Sequence, residues 1–200
     1  MKQILEWATI YNTTQWMVGA ERPRRYCVQQ YISATDGSRI VDIGCGPGLA
    51  VRYLPPAVDY VGIEPNPKYV ASAVRRFGDR ARFICGYFDS DTARSLAPYD
   101  AVLLLGVVHH CDNETAAQLF SDIALGLRPG GRVVTLDPCF TPNQSSMARY
   151  VARSDRGKHV RSPEDYRAIA GSHLRVEASE TRDWLLYIPT TVHIGVFGAP

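Results

Sequence analysis

"RIVDIGCGPG", Arg39 to Gly48, is the stretch on which the reading of this chain turns. A short β-branched run ends at Ile43, and glycines follow at Gly44, Gly46 and Gly48. Glycines here let the backbone turn sharply and let a ligand approach the main chain closely. The helix predicted to follow would offer its first amides to an anionic group. The spacing is G-x-G-x-G, one position short of the dinucleotide fingerprint, with Leu49 where a third glycine would stand. There is no phosphate loop ending in Gly-Lys-Ser/Thr. An acid does close the next apolar run: Glu64 lies 20 positions after Gly44, where a carboxylate can accept both hydroxyls of a ribose.

Working outward, strand-like runs recur at "DYVGIE" (59–64), "ARFICG" (81–86), "YDAVLLLGVV" (99–108) and "GRVVTLD" (131–137). Between them lie helical stretches, "NPKYVASAVRRFG" (66–78) and "NETAAQLFSDIALGLRPGG" (113–131). In the second, Ala116, Leu119, Phe120, Ile123 and Leu127 form one apolar face. Asn113 is placed to cap its start, and Pro129-Gly130-Gly131 to end it in a turn. Strands that alternate with helices and are apolar throughout imply a parallel sheet covered on both faces. Ligands bind such sheets at the carboxyl ends of the strands, hence just after Gly44, Ile63, Gly86, Val108 and Leu136. Beyond residue 140 the pattern turns polar and Arg-rich. A loop and helix precede a second helix opened by Ser162-Pro163-Glu164, and "HLRVEASE" and "TTVHIGVFGA" supply the last two strands. This predicts a single domain over 1–200, with an N-terminal helical cap at 1–36 and an insert, or lid, at 141–168.

Composition narrows the classes. Of 200 residues, 46% are hydrophobic and 21% charged, and the net charge of +2 falls short of the positive field of a nucleic-acid binder. No apolar run is long enough to span a membrane. "MKQILEWATIYNTTQW" reads as an amphipathic helix and not as a signal peptide. Five scattered cysteines without a C-x-x-C pair argue against a disulfide framework or a zinc site and for a reducing, cytoplasmic setting.

Taken as a set, "VDIGCGPG", "GIEPNP", "YDAVLLLGVVHH" and "LRPGGRVVTLD" resemble the motifs of class I S-adenosylmethionine-dependent methyltransferases, in order and spacing, over roughly Arg39 to Asp137. The resemblance implies a three-layer, Rossmann-like α/β fold. Its sheet would have seven mostly parallel strands, the last antiparallel, with helices on both faces. It implies S-adenosyl-L-methionine as cofactor, with Gly44, Gly46 and Gly48 at the methionine end, Asp42 helping to hold the amino group, Glu64 on the ribose, and Gly106 and Val107 lining the site. One departure stands out. After the third strand, "CGYFDSD" has Tyr87 where the family often has an acid near the adenine. Either Asp89 takes that role, or an aromatic ring, Phe88, packs on the adenine.

The resemblance also places His109 and His110, at the end of "LLLGVVHH", beside the sulfonium. Methyl transfer is an in-line displacement whose catalysis comes largely from alignment and desolvation. What remains is removal of the acceptor's proton, which a near-neutral histidine can do for roughly 10² to 10⁴-fold. His110 is the first candidate and His109 the second, and Tyr11 matches a tyrosine that latches this histidine in some relatives. A metal is not expected, because adjacent side chains diverge too much to share one ion. Arg156 and Arg161, in "RSDRGKHVR", would form a cationic mouth for an anionic substrate if they converge over the strand ends; otherwise such runs are solvated surface. Pro138-Cys139 stands without supporting motifs and reads as a buried thiol, and no Asp/Asn-Pro-Pro-aromatic motif follows the fourth strand. Both points count against a nucleic-acid base as substrate. The expectation is methyl transfer to an oxygen or nitrogen of a small metabolite. The alternative is a cofactor-binding regulatory or scaffolding protein that keeps the fold without methyl transfer.

Overall fold

The computed structural model describes residues 21–200. Seven strands form one sheet: β1 (Arg39–Ile43), β2 (Asp59–Glu64), β3 (Ala81–Cys85), β4 (Tyr99–Leu105), β5 (Leu127–Pro138), β6 (Arg175–Arg182) and β7 (Val192–Gly198). Their spatial order is β3-β2-β1-β4-β5-β7-β6. All neighbouring pairs from β3 to β5 are parallel, while β7 runs antiparallel to both β5 and β6. The chain reverses its direction across the sheet between β1 and β4, so a crevice opens at the carboxyl ends of these two strands.

Strand alternation sorts the apolar residues onto two faces. Val41, Ile43, Val61, Ile63, Val102, Leu104 and Val133 pack against Leu96 of α3 (Ser90–Leu96), Phe120 and Ile123 of α4 (Asn113–Ala124), and Tyr166 and Ala170 of α6 (Pro163–Gly171). Ile40, Tyr60, Leu103, Val134 and Ile194 face the other way. There they meet Cys27 and Val28 of α1 (Glu21–Tyr31), Val51 of a 3-10 turn (Leu49–Tyr53) and Phe77 of α2 (Pro67–Phe77). All seven residues of β7 are buried, which suits a strand paired on both sides. β6, at the edge, is mostly exposed and carries Arg175, Glu177, Glu180 and Arg182. Charges of this kind discourage pairing with another chain.

Local details depart from the sequence reading in three places. The fourth strand stops at Leu105 and not at Val108, because Gly106 turns into the left-handed region at φ 84° and Val108–His110 coil into a 3-10 turn. The α4 cap is Asp112, whose carboxylate accepts from the Thr115 amide at 2.8 Å, and Asn113 is already helical. The helix ends at Ala124, and Pro129-Gly130-Gly131 belongs to β5. That strand pairs Leu127 with Tyr99 and shifts register before Arg132 meets Ala101. The helix opened by Ser162 forms as read, its hydroxyl accepting from the Asp165 amide at 3.1 Å. A further helix, α5 (Ser146–Arg153), precedes it. No helix among the described residues is long and apolar enough to cross a membrane.

Candidate active site

Asp42, Gly44, Gly46, Gly48, Glu64, Gly106 and Val107 lie at or just after the carboxyl ends of β1, β2 and β4. Gly44, Gly46 and Gly48 all adopt positive φ (71°, 54° and 75°), so the loop's course depends on glycine. Their surroundings differ. A Cβ on Gly44 would come 2.6 Å from Val107 Cγ2, and one on Gly48 would come 2.9 Å from the Phe83 ring. One on Gly46 would meet nothing within 4 Å. Gly44 therefore packs on the β4 turn and Gly48 on β3, while Gly46 exposes bare backbone.

Glu64 braces this loop. Its Oε2 accepts from the Gly46 amide at 3.1 Å and its Oε1 from the Asn66 amide at 2.8 Å. Each carboxylate oxygen has two acceptor sites, so one on each remains for a pair of hydroxyls. Asp42 lies buried on the α1 side, where the Tyr60 hydroxyl donates to its Oδ2 at 2.5 Å. Burial drives its carboxyl up to about 6, against the opposing effect of the Tyr60 hydrogen bond. Two buried acids and an open glycine backbone at one sheet end fit the amino, ribose and backbone contacts of an S-adenosylmethionine-type ligand.

After β3, Asp89 is committed elsewhere. It caps α3, its Oδ1 accepting from the Thr92 amide at 2.8 Å and the Thr92 hydroxyl at 2.7 Å. Tyr87 is 80% exposed. Phe88 is partly buried against the cluster that also takes Ile84 and Val107. Of the three residues, only Phe88 turns toward the site's own packing.

The two histidines have different environments, although their ring centroids lie 4.1 Å apart. His109 is buried. Its Nδ1 lies 2.6 Å from Asp137 Oδ1, its Nε2 lies 3.2 Å from Asp155 Oδ1, and its backbone amide donates to the same Asp137 oxygen at 3.1 Å. Burial opposes a charge there, but the hydrogen bonds to Asp137 and Asp155 outweigh it and push the imidazole up to about 9. His110 is exposed, and its imidazole is held below the ordinary value by partial burial and by the charge on His109. At neutral pH one ring is an imidazolium bound to carboxylates, and the other is a neutral base open to solvent.

Of the two arginines expected to line a cationic mouth, only Arg156 is exposed. Arg161 corrects the sequence reading. It is buried and spends its donors on the backbone carbonyls of Val108 (3.1 Å), His159 (2.9 Å) and Cys111 (2.6 Å) and on Asn113 Oδ1 (3.0 Å). It fastens the turn that carries the histidines, with four of its five N–H donors committed to the protein. Tyr11 lies outside the described residues. Sequence reasoning missed Asp137 and Asp155. Asp137 was findable as the last acid of β5, at a strand's carboxyl end, but nothing local marks Asp155. Among the described residues, no group of three or more His, Cys, Asp or Glu is arranged to hold a metal.

The strand order, the glycine loop and the acid closing β2 define the class I methyltransferase architecture. Residues 40–131 match the family model described as a methyltransferase domain, a match consistent with the class I S-adenosylmethionine-dependent methyltransferases. Among curated proteins it is 29% identical over 143 residues to the O-methyltransferase resE of Aspergillus sclerotiorum, covering 66% of this chain and 53% of that protein. It is 31% identical over 131 residues to the O-methyltransferase cnsE of Penicillium expansum, covering 60% and 46%. The chain thus spans about half the length of these relatives. The N-methyltransferase NodS of Bradyrhizobium japonicum WM9 shares the fold with a TM-score of 0.68 at 16% identity, covering 91% of this chain and 97% of that one.

Proposed function

We propose that the protein transfers a methyl group from S-adenosylmethionine to an oxygen or nitrogen of a small metabolite, with His110 as the general base. The observation that carries this reading is the solvent-exposed His110 imidazole on the turn after β4, whose flanking residue Val107 abuts Gly44 of the glycine loop. The cofactor, when bound, supplies an already activated methyl group. Glu64 offers its free acceptor sites to the ribose hydroxyls, Asp42 its carboxylate to the ammonium, and Gly46 its bare backbone to the methionine end. Phe88 supplies an aromatic wall for the adenine in place of an acid. His110 takes the acceptor's proton as the new bond forms, and its lowered pKa keeps it unprotonated at pH 7. His109 cannot do this while both ring nitrogens donate to carboxylates. Arg156, exposed near His110, favours an anionic acceptor. Five unpaired thiols suit a reducing, cytoplasmic setting.

Calorimetry with S-adenosylhomocysteine should show one site per chain, micromolar or tighter, roughly −8 kcal/mol. A folded, pure protein that binds none would sink the reading. Once methyl-labelled cofactor identifies an acceptor among hydroxyl- and amine-bearing metabolites, His110→Asn should lower kcat by roughly 10² to 10⁴ and leave S-adenosylhomocysteine affinity unchanged.

A further inference from the structure

We propose that Asp155 and His109 form a latch that seats residues 154–161 on the end of β4 and so holds Arg156 beside His110, which makes Asp155 a positioning residue of the acceptor site. The inference rests on the reading of that site given above, but its geometry stands independently. A neutral imidazole has one N–H and can donate to one partner only. His109 has a carboxylate oxygen at each ring nitrogen, Asp137 at 2.6 Å and Asp155 at 3.2 Å. Both contacts are favourable together only for the imidazolium. Its charge is what joins the buried end of β5 to a segment that follows α5.

The segment is shaped to meet it. The Gly157 amide donates to Asp155 Oδ1 at 2.7 Å, closing a tight turn with Arg156 at its tip. Gly157 packs directly against His109, where a Cβ would come 1.9 Å from the ring's Cδ2. The His159 amide donates to the His109 carbonyl at 3.0 Å, and Arg161 holds the carbonyls of Val108 and Cys111. Residues 159–161 are therefore tied by a backbone hydrogen bond and by a guanidinium on backbone carbonyls, whereas 155–157 depend on the imidazolium. Of the two carboxylates, Asp137 is 1% exposed and also accepts the His109 amide, while the Asp155 side chain is 35% exposed and can be rehydrated. When His109 loses a proton, the Asp155 contact is the one that opens.

The groups that face His109 are Asp137 from β5, Asp155 from the segment and His110 on its own turn. Arg161, from just before α6, reaches the adjoining carbonyl, and His193 of β7 lies in register with Asp137. His193 is fully buried, stacks on Tyr166 at 5.5 Å and is held neutral, its pKa lowered by burial to about 4. It adds no competing charge. The His110 imidazole is held low mainly by burial and by His109, and the Arg156 charge adds a smaller effect in the same direction. The latch therefore fixes where the segment carrying Arg156 sits relative to the proposed base.

The test is a proton-NMR titration of the imidazole C–H signals in the full chain, in wild type, Asp155→Ala, Asp155→Glu, Arg156→Ala and the Asp155→Ala/Arg156→Ala double variant. In wild type, His109 should titrate at least one pH unit above a free imidazole. Asp155→Ala should lower that midpoint by one unit or more, and Asp155→Glu should restore part of it. Amide exchange at Gly157 should quicken tenfold or more in Asp155→Ala, with His159 much less affected. Arg156→Ala should raise the His110 midpoint in the wild-type background and leave it unmoved in the Asp155→Ala background. Equal His110 shifts in both backgrounds, or a His109 midpoint indifferent to Asp155, would overturn the latch. S-adenosylhomocysteine calorimetry on the same samples separates the two readings: binding with no latch coupling defeats only the latch, and coupling without binding defeats only the proposed function.

Discussion

At Gly46 and Gly48 the same residue type answers different demands. Gly46 has open space where a side chain would point, so Gly46→Ala carries only the cost of a left-handed alanine, about 1 kcal/mol. Its methyl group would cover backbone that the proposed cofactor contact uses. Thermal denaturation should shift little, while calorimetry should show S-adenosylhomocysteine binding weakened tenfold or more. Gly48→Ala should do the reverse, because its Cβ meets the Phe83 ring at 2.9 Å and the Ala73 Cβ at 3.2 Å, and destabilisation by about 2 kcal/mol or more is expected. In the proposed site, Asp42 sets cofactor binding against stability. Its carboxyl is raised by burial from 3.8 to about 6, so the folded state holds that proton more tightly than the unfolded one. Stability is lost as pH rises from about 4 through 6 and stays lost at neutrality. Asp42→Asn removes the buried charge and should raise the melting temperature at pH 7.5 by a few degrees. Calorimetry on the same variant should show S-adenosylhomocysteine affinity falling.

At the scale of elements, capping decides which neighbours are free for a ligand. Asp89 opens α3 and Asp112 opens α4, each with a carboxylate on backbone amides. Removing such a cap leaves a helix amide without its partner. Asp89→Ala should therefore lower the melting temperature and leave S-adenosylhomocysteine affinity unchanged, while Phe88→Ala should weaken binding. A calorimetric comparison of the two variants distinguishes the cap from the adenine wall, and lost affinity in Asp89→Ala would reverse the assignment. The 3-10 turn at Val108–His110 explains how adjacent histidines part company. A strand would have sent them to opposite faces of the sheet. The tighter turn instead keeps both rings at its end, one sunk toward β5 and one open to solvent.

At the scale of the whole molecule, buried titrating groups shape stability against pH. His193 is held neutral at about 4, so its contribution is full above its unfolded value near 6.5 and is lost as pH falls toward 4. Asp42 runs the other way over nearly the same range, and the two largely offset one another. His109 is raised to about 9, so its contribution is full below about 6.5 and is lost as pH rises through 9. The melting temperature should accordingly decline between pH 7 and 9.5. His109→Gln should melt lower at pH 7 but show a much flatter profile over that interval. A wild-type curve flat to pH 9.5 would mean that His109 is not charged in the folded protein.

The architecture was legible because it rests on local signals. Alternating apolar runs, a glycine loop after the first and an acid closing the second are set by backbone sterics and by which faces must be buried. Those rules act over a few residues and need no partner. Asp42, Gly44, Gly46 and Glu64 could be placed at the strand ends for the same reason, whereas Gly106 and Val107 came from the family resemblance and lie in a turn that ends β4 earlier than its apolar run suggests. Three things were not legible. Asp155 reaches His109 across 46 positions of chain, and Arg161 reaches Cys111 across 50, through loops whose course no local pattern dictates. The cap fell to Asp112 and not Asn113, because Arg161 takes the asparagine side chain. The division of labour between His109 and His110 was hidden too, since adjacent residues of one type differ only in what tertiary packing brings to each. The sequence by itself determined the sheet, its ligand end and the cofactor-type loop. Only the tertiary structure decided which histidine is charged and which is free, because a pKa follows from burial and from carboxylates that folding alone brings within hydrogen-bond reach.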